Sequence, residues 1–591
     1  MLHSLDRVVL ACFVPLAVAI LLSGVDDLIV DLAWGWAWLK ARLRPEPRLF
    51  PPGVRQLEAA PRRRIAILLP LWREHAVIGR MLEHTLSAIR YEDYEIFAGA
   101  YPNDGLTQDA VRAVADRFPN IHLVLCPYDG PTSKADCLNW IYEYLTLFEE
   151  QDGQQFDVVV THDAEDLIHP DELLWINYYS ARYAFIQTPV LPLPTPFREL
   201  THGVYCDEFA EYHTRDMVAR PLLGGFLPSA GVGTGYSRDS LYRLAETGSG
   251  GIFDPEALTE DYENGWKLFR LGKSQAFVPP MRTLRGDEFF ATREFFPKNW
   301  SAALRQRTRW VIGIALQSWQ RNGWRGTLGE RYWLWRDRKG LITIPLSFAA
   351  NLILAYGLAT ALWMRMTPLA SHLATATLVF QCLRLAIRSG CVTRIYGVRF
   401  ALGVPLRSIY ANALSSVANL KAVITYFGAR ARNHGLRWAK TEHAFPSGTA
   451  LRTHRRKLGE ILVSSGYLTG EGLKTALVAR KSGVRLGQQL VQAGQLDEEA
   501  LYDALNIQRG LPTGQLDPDA VSRRVAHAIP EHAVREFQVL PFRVAEGSLF
   551  LAGPDIPSAE VTAALRRFTS LELRFHLVTP SEFEKLTGAL L

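Results

Sequence analysis

Cysteine is scarce in this 591-residue chain, and its six cysteines never form a CxxC pair. Such pairs are typical of zinc sites, and disulfide-bonded secreted domains carry more cysteine, so the sequence favours neither and fits a reducing compartment. A strong charge of one sign is missing as well. The net charge of only +5 does not favour nucleic acid as a partner. The length exceeds one domain and suits about three.

Long apolar runs are confined to a few parts of the chain. Residues 8–23 are almost purely apolar and lack the small-residue cleavage site of a signal peptide, which favours a retained membrane anchor over a signal peptide. An acidic pair should end this anchor, and the tryptophan-rich residues 25–39 then predict a separate interfacial helix. Two further spans are predicted at 341–364 and 369–385.

The distribution of lysine and arginine predicts the orientation in the bilayer. Only Arg7 precedes the first span, whereas many basic residues follow it, so the N-terminus should face outward and the next domain should be cytoplasmic. Residues 401–427 are as long as a span but carry polar and basic side chains. We expect a partly inserted or interfacial helix there, with a fourth span as the alternative. The C-terminus is then cytoplasmic.

Residues 64–300 alternate short apolar runs with helical patterns. Strands are predicted at 65–69, 95–99, 122–125 and 156–161, and helices at 76–89, 108–118 and 134–148. This order predicts a Rossmann-like α/β domain with a mostly parallel sheet covered by helices. Ligands of such domains bind at the carboxyl ends of the strands.

Polar motifs fall where these strands end or where helices begin. They are Asp104; Lys134, Asp136 and Asn139; His162-Asp163-Ala164-Glu165-Asp166; Thr259-Glu260-Asp261; and Gln306-Arg307-Thr308-Arg309-Trp310. Each motif alone has a structural explanation, such as a helix cap, an acidic first turn or an interfacial amphipathic helix. Their order and spacing together indicate a site.

This series of motifs resembles that of family 2 glycosyltransferases of the cellulose- and hyaluronan-synthase kind, which have a nucleotide-binding GT-A fold. The resemblance implies that Asp104 contacts the nucleoside and that Asp163 and Glu165 hold a divalent metal and the donor diphosphate. It also implies that Asp261 is the general base of an inverting transfer. Asp166 directly follows Glu165, so the sequence leaves open which of the two reaches the metal.

The same resemblance assigns the remaining residues of the expected site. Gln306 and Arg309 would hold the diphosphate of a UDP-sugar donor and Trp310 would contact the acceptor, while Glu74 and Lys134 complete the donor site. The residue types suit this chemistry. Mg²⁺ or Mn²⁺ binds carboxylate and phosphate oxygens together, an ionised carboxylate can accept a hydroxyl proton, and arginine can donate two hydrogen bonds to diphosphate.

A narrower resemblance rests on the segments YPND, PTSKADCLN, HDAED and PSAGVGTG, at 101–104, 131–139, 162–166 and 228–235. They look like the NfrB-type family of phage-adsorption proteins. The resemblance implies a processive enzyme of the bacterial inner membrane that exports a surface glycan serving as phage receptor, with an outer-membrane partner of the NfrA type. Gly233 is then expected near the acceptor. A polyprenyl-phosphate sugar transferase and a non-catalytic scaffold for phage adsorption are the alternatives.

Residues 457–480 and 485–508 form an internal repeat of two 24-residue units, each predicted to be a helix pair with a glycine turn. The repeat resembles the MshEN domain of secretion ATPases, whose motif binds cyclic di-GMP. The resemblance assigns to this ligand Lys457, Leu458, Gly459, Leu462, Gly466, Arg485, Leu486, Gly487, Leu490, Gly494 and Gln508. The first unit departs from the motif because Lys457 replaces arginine and Arg480 replaces glutamine, so a vestigial scaffold is the alternative.

Four parts are therefore predicted. Residues 1–45 form the N-terminal transmembrane and interfacial helices, and 60–330 form the cytoplasmic GT-A domain. Residues 331–430 return to the bilayer, and 452–591 form a small α+β MshEN domain in which 536–578 alternate strands with a helix.

Overall fold

The computed structural model describes residues 2–43, 53–247, 251–282, 289–361, 366–432, 458–464, 467–479, 486–509, 516, 518, 521–545, 548–569 and 571–591. The chain divides into two compact units. The first comprises Met1–Ile78 and Asp93–Phe445, and the second comprises Gly79–Glu92 and Pro446–Leu591.

A seven-stranded sheet forms the centre of the first unit. Its strands are β1 Ile65–Pro70, β2 Tyr94–Ala100, β3 Ile121–Leu125, β4 Val158–Thr161, β5 Phe185–Gln187, β6 Thr234–Ser237 and β7 Gln275–Phe277. The order is β3-β2-β1-β4-β6-β5-β7, and only β6 runs antiparallel to its neighbours. Both faces are covered by helices, which is why β1 and β4 are continuously apolar. The predicted α/β fold is confirmed.

Sixteen helices lie between residues 2 and 431 in the described part of the chain, and the one at 78–88 belongs mostly to the second unit. They are α1 Leu2–Leu43, α2 Val54–Glu58, α3 Ile78–Ala88, α4 Gly105–Ala115, α5 Lys134–Asp152, α6 Glu172–Ser180, α7 Leu200–Glu211, α8 Met217–Leu222, α9 Arg238–Thr247, α10 Glu260–Arg270, α11 Trp300–Trp310, α12 Ser318–Asn322, α13 Leu328–Thr360, α14 Pro368–Tyr396, α15 Val398–Ala401 and α16 Val404–Ala431. Two π-helical segments, Tyr212–Asp216 and Val311–Gln317, join α7 to α8 and α11 to α12.

Three of these helices are long and apolar enough to cross a membrane: α1, α13 and α14. The prediction of a separate interfacial helix at 25–39 is wrong, because α1 continues through this segment without a break. Asp26 and Asp27 do not end the helix because they form ion pairs with Arg336 and Lys339 of α13. Pairing of this kind is what allows carboxylates on a membrane helix.

The second unit contains the internal repeat and a small sheet. Helices α17 Leu458–Ser464 and α18 Gly470–Val478 form the first pair, and α19 Leu486–Gln492 and α20 Glu498–Arg509 form the second. The short helices α21 Arg523–Ala526 and α22 Glu531–Phe537 lead into strands β8 Leu540–Ala545 and β9 Ser548–Gly553. Helix α23 Ala559–Leu565, strand β10 Glu572–Leu577 and helix α24 Pro580–Leu590 complete the unit. The predicted alternation at 536–578 is confirmed.

The two halves of the repeat have matching local structure. A Cβ atom on Gly459 would lie 2.6 Å from Leu473 Cδ1, and a Cβ atom on Gly487 would lie 2.4 Å from Leu501 Cδ1. Each glycine therefore allows the first helix of its pair to approach the second closely. The repeat is also joined to the small sheet, because the Asn506 side chain exchanges two hydrogen bonds with the backbone of Leu577, at 2.8 and 3.0 Å.

Candidate active site

Most of the predicted donor-site residues line one cavity at the carboxyl ends of β1 and β4. Its volume is about 130 Å³. The predicted residues along its wall are Glu74, Lys134, Asp163, Glu165, Asp261, Gln306, Arg309 and Trp310. They come from segments more than 200 positions apart in the sequence, which the sheet and the helices α5, α10 and α11 bring together. Trp72 and Tyr101 add an aromatic edge, with ring centroids 5.4 Å apart.

The turn after β4 distinguishes Glu165 from Asp166. Asp166 is fully buried and accepts hydrogen bonds from His162 Nδ1 at 2.8 Å and from the Asp163 backbone N–H at 3.0 Å. Its carboxylate is therefore used inside the protein. Asp163 and Glu165 face the cavity instead. Of these two adjacent carboxylates, Glu165 lines the cavity and Asp166 does not.

His162 connects this turn to the protein interior. Its second ring nitrogen, Nε2, lies 2.8 Å from Glu172 Oε1, and Glu172 also accepts a hydrogen bond from the Thr292 hydroxyl. Burial alone would lower the pKa of His162, but the adjacent Glu172 and Asp166 carboxylates raise it to about 10. The imidazolium thus bridges the Asp166 carboxylate of this turn to Glu172 of α6.

Lys134 lies among the carboxylates of the cavity. Its Nζ is 2.6 Å from Asp163 Oδ1, and Glu260 and Asp261 are close enough to act on it electrostatically. Burial opposes the charged form of Lys134, but these three carboxylates outweigh it and raise the pKa of the ammonium group. Lys134 therefore stays positively charged among the carboxylates of the cavity.

Asp261 lies at the start of α10. Its Oδ1 accepts a hydrogen bond from the Tyr262 backbone N–H at 2.8 Å, while a Cβ atom on Gly231 would come within 2.5 Å of Oδ2. Gly231 has φ 81°, so this position suits glycine on both counts. Burial raises the pKa of Asp261, with Lys134 opposing that change. Burial and the neighbouring Asp261 raise the pKa of Glu260 to about 7.

Helix α11 presents one face of the Gln-x-x-Arg-Trp motif to the cavity. Gln306 Oε1 and Arg309 Nε are buried and have no hydrogen-bond partner among the described residues, so both atoms are available to a molecule in the cavity. Arg307 points the other way and forms two hydrogen bonds with Glu208 and one with Ser415. The spacing of the motif thus separates ligand-facing from structural residues.

A second, larger cavity meets the first at Asp261. Its volume is about 1080 Å³, and it extends between α1, α13 and α14. The two cavities share Ala230, Thr259, Asp261, Glu294, Phe296 and Trp310. Apolar side chains line its far part, and paired charges, including Glu211, Arg384 and Arg388, line the part nearer the sheet. Sequence reasoning missed Glu294 and Phe296, because no motif surrounds them.

Asp104, Asn139 and Gly233 are among the residues named in the sequence that line neither cavity. Asp104 accepts a hydrogen bond from the Arg73 backbone N–H at 2.5 Å and precedes α4. Asn139 holds the backbone of Phe253 through two hydrogen bonds. Gly233 is packed against Thr188, whose hydroxyl donates to the Gly233 carbonyl at 2.9 Å. In this arrangement Gly231, rather than Gly233, faces the Asp261 carboxylate.

The predicted cyclic di-GMP residues are described in part. Lys457, Gly466 and Arg485 lie outside the described residues. Leu462 and Leu490 occupy equivalent buried positions in α17 and α19, and Leu458, Leu486 and Gln508 are half-buried. Gly494 has φ 64° in the turn after α19, as a glycine turn requires.

Comparison with known proteins gives two family matches. A family profile described as "Glycosyltransferase like family 2" matches residues 61–313, and the MshEN domain profile matches residues 509–590. The first match covers the sheet and every residue of the cavity at the strand ends. The second covers the small sheet and follows the repeat in the sequence.

Three individual proteins are similar to this chain. Bacteriophage adsorption protein B of Escherichia coli K12 is 35% identical over 596 residues, covering 96% of this chain and 79% of its own length. A solved structure of MshE with cdg is 26% identical and covers 23% of this chain and 100% of its own, with a TM-score of 0.21. The mannosyltransferase PcManGT from Pyrobaculum calidifontis, solved in complex with GDP-Man and Mn²⁺, is 16% identical. It covers 67% of this chain and 99% of its own, with a TM-score of 0.41.

The relative from Escherichia coli shares the arrangement of the whole chain rather than of one domain, because the match spans both compact units. Together with the profile over the cavity residues, it shows that this chain belongs to the bacteriophage adsorption protein B family and combines a family 2 type glycosyltransferase domain with a C-terminal MshEN domain.

Proposed function

We propose that this protein is a processive glycosyltransferase of the bacterial inner membrane that builds and exports a surface glycan from a UDP-sugar. The observation that carries the proposal is the position of Asp261. This carboxylate lies where a small polar cavity meets a large cavity between three apolar helices. A donor in the first and an acceptor in the second would meet at a base.

The residues of the smaller cavity suit the donor. Trp72 and Tyr101 offer aromatic surfaces for a nucleobase, while Lys134 and Arg309 supply positive charge for the diphosphate. Arg309 and Gln306 also bring buried polar atoms that need partners. The charges and the aromatic edge therefore fit a nucleoside diphosphate sugar.

The carboxylates after β4 fit a divalent cation. Asp163 and Glu165 are hard oxygen donors two positions apart in the wall of the cavity. Among the described residues, no cluster of three or more histidine, cysteine, aspartate or glutamate side chains is arranged to bind a metal ion without further ligands. Two carboxylates leave room for phosphate oxygens and water, as Mg²⁺ and Mn²⁺ require. Such an ion would supply charge neutralisation for the departing nucleoside diphosphate.

Asp261 would act as the base. It accepts the proton of the acceptor hydroxyl as that oxygen forms a bond to the anomeric carbon and the bond from this carbon to the diphosphate oxygen breaks. Arg309 and Lys134 stabilise the charge that develops on the leaving diphosphate. A single displacement of this kind inverts the anomeric configuration. Gly231 leaves space for the reacting groups beside Asp261.

The remaining parts of the proposal concern place and control. Three helices long and apolar enough to cross a membrane, with a basic flank after the first of them, support a cytoplasmic location for the catalytic and C-terminal domains. The name of the relative supports a role of the glycan in phage adsorption. The outer-membrane partner of the NfrA type is proposed from the resemblance of the sequence motifs alone. Cyclic di-GMP is the proposed ligand of the repeat, because basic residues begin both units and MshEN-type sequence follows them.

Donor turnover by the purified, detergent-solubilised protein tests this function. A panel of UDP-sugars should identify one donor that is consumed to give polymer, and cyclic di-GMP should raise the rate. Arg485→Ala should abolish that increase more completely than Lys457→Ala, because lysine cannot make the forked contacts of arginine. A product that is a single sugar on polyprenyl phosphate would favour the lipid-transferase alternative, and no turnover of any donor would favour a scaffold.

A further inference from the structure

The segment that follows the Gln-x-x-Arg-Trp motif is a π-helix, Val311–Gln317. Its hydrogen bonds run from each residue to the fifth along the chain, so it carries more residues per turn than an α-helix. Side chains after Trp310 therefore leave the face they would occupy on a continuous α-helix. Such segments are frequent at functional sites, and this one contacts the backbone that precedes Asp261.

The last residue of the π-helix holds the backbone that leads to Asp261. Gln317 is buried, and its Oε1 accepts a hydrogen bond from the Leu258 N–H at 3.0 Å. Its Nε2 donates to the Glu256 carbonyl at 3.2 Å. One side-chain amide thus satisfies two backbone groups just before Thr259-Glu260-Asp261. Gln317 itself lines neither cavity.

A glycine one turn earlier makes this contact possible. A Cβ atom on Gly313 would lie 2.3 Å from Thr259 Oγ1 and 2.7 Å from Thr259 Cγ2. Ile312 and Leu316 pack against Leu258 in the same apolar cluster. The π-helix therefore touches the segment before Asp261 through a close backbone approach, an apolar contact and an amide clamp.

We propose that Gln317 and Gly313 are positioning residues that fix Asp261 relative to Arg309 and Trp310. This inference rests on the proposed function for the identity of the base. Arg309 and Trp310 lie on the helix that continues into the π-helical segment, so one continuous element carries the diphosphate-binding arginine and holds the loop of the base. The distance between leaving group and base is then set within that element.

Three variants separate this role from a general effect on folding. Gln317→Leu removes both hydrogen bonds. Gln317→Glu keeps an oxygen that can accept from Leu258 N–H but loses the donor to Glu256. Gln320→Leu is the matched control, since Gln320 is exposed, lies three positions further along and accepts a hydrogen bond from Tyr426.

Turnover and donor affinity should respond differently to these changes. We expect kcat of Gln317→Leu to fall by about 10²-fold, the cost of misplacing a reacting group by about 1 Å. The affinity for UDP with Mn²⁺ should match that of wild type, and Gln317→Glu should recover part of the rate. Gln320→Leu should equal wild type in each measurement. Unchanged kcat in Gln317→Leu, or a parallel loss of kcat, UDP affinity and melting temperature, would overturn the proposal.

Hydrogen exchange tests the clamp without any assay of transfer. Peptides covering residues 256–262 should exchange faster in Gln317→Leu than in wild type and at the wild-type rate in Gln320→Leu, because the Leu258 amide loses its acceptor. Equal protection in all three proteins would refute the clamp, even if the protein proved to be a glycosyltransferase. If the wild-type protein showed no transferase activity but residues 256–262 still exchanged faster in Gln317→Leu than in wild type, the clamp would be supported and the proposed function contradicted.

Discussion

Replacing Asp261 by asparagine tests its role as a base without removing its structural contacts. The asparagine Oδ1 can still accept the hydrogen bond that Asp261 Oδ1 receives from Tyr262, and the side chain keeps its size beside Gly231. The loop should therefore stay in place and only the proton acceptor should be lost. A positioned base contributes about 10²–10⁴-fold, which is about 2.7–5.4 kcal/mol of activation free energy.

The matched comparison is Glu260→Gln. Glu260 has a pKa of about 7, which by itself would suit a general base, but it lines only the smaller cavity, whereas Asp261 lines both. UDP release under saturating donor should fall by about 10²–10⁴-fold in Asp261→Asn and by less in Glu260→Gln. Calorimetry with UDP and Mn²⁺ should give similar affinities for both variants and wild type. A larger loss of turnover in Glu260→Gln than in Asp261→Asn would show that Glu260, and not Asp261, is the base.

Three other perturbations have defined outcomes. Asp163→Ala should abolish the Mn²⁺-dependent part of UDP binding in calorimetry, because one hard ligand is removed; an unchanged affinity would exclude Asp163 from the metal site. Because burial raises the pKa of Asp261, kcat should fall with decreasing pH at a midpoint above the usual aspartate value of about 3.9, and Lys134→Met should move that midpoint higher, since the ammonium group favours the ionised form. An unshifted or lower midpoint in the pH–rate profile of Lys134→Met would contradict this. Asp207→Ala should lower the free energy of unfolding by about 3–5 kcal/mol, because it leaves Arg407 buried without the carboxylate that it grips at 2.7 Å through two nitrogens; denaturation of the variant at the wild-type midpoint would contradict it.

The sheet was predictable because its strands follow a simple rule. Strands of a helix-covered sheet are rich in apolar residues, and four short apolar runs separated by helical patterns predict β1 to β4 within about two residues. The antiparallel β6 escaped prediction, because its sequence Thr-Gly-Tyr-Ser has neither an apolar run nor a clear alternation. Its place between β4 and β5 is fixed by tertiary pairing alone.

Local sequence was least informative where distant partners decide the structure. Asp26 and Asp27 read as the end of a membrane helix because an unpaired carboxylate is costly in a bilayer, and nothing nearby shows the basic partners on α13. The sequence also could not distinguish Glu165 from Asp166, because the contacts that separate them form only in the folded chain. Only the folded chain shows that His162 and the Asp163 backbone already use the Asp166 carboxylate.

The ion pairs of α1 also bear on how the protein is made. Asp26 is translated 310 residues before Arg336, its partner. The first helix is therefore synthesised while Asp26 and Asp27, near its middle, still lack their counter-charges, and burying these carboxylates in lipid before α13 is made would be costly. Docking of α13 then completes the helix pair. Replacing α1 by an unrelated hydrophobic helix would leave Arg336 and Lys339 without these carboxylates. Helix α1 is therefore an integral part of the fold and not only a membrane anchor.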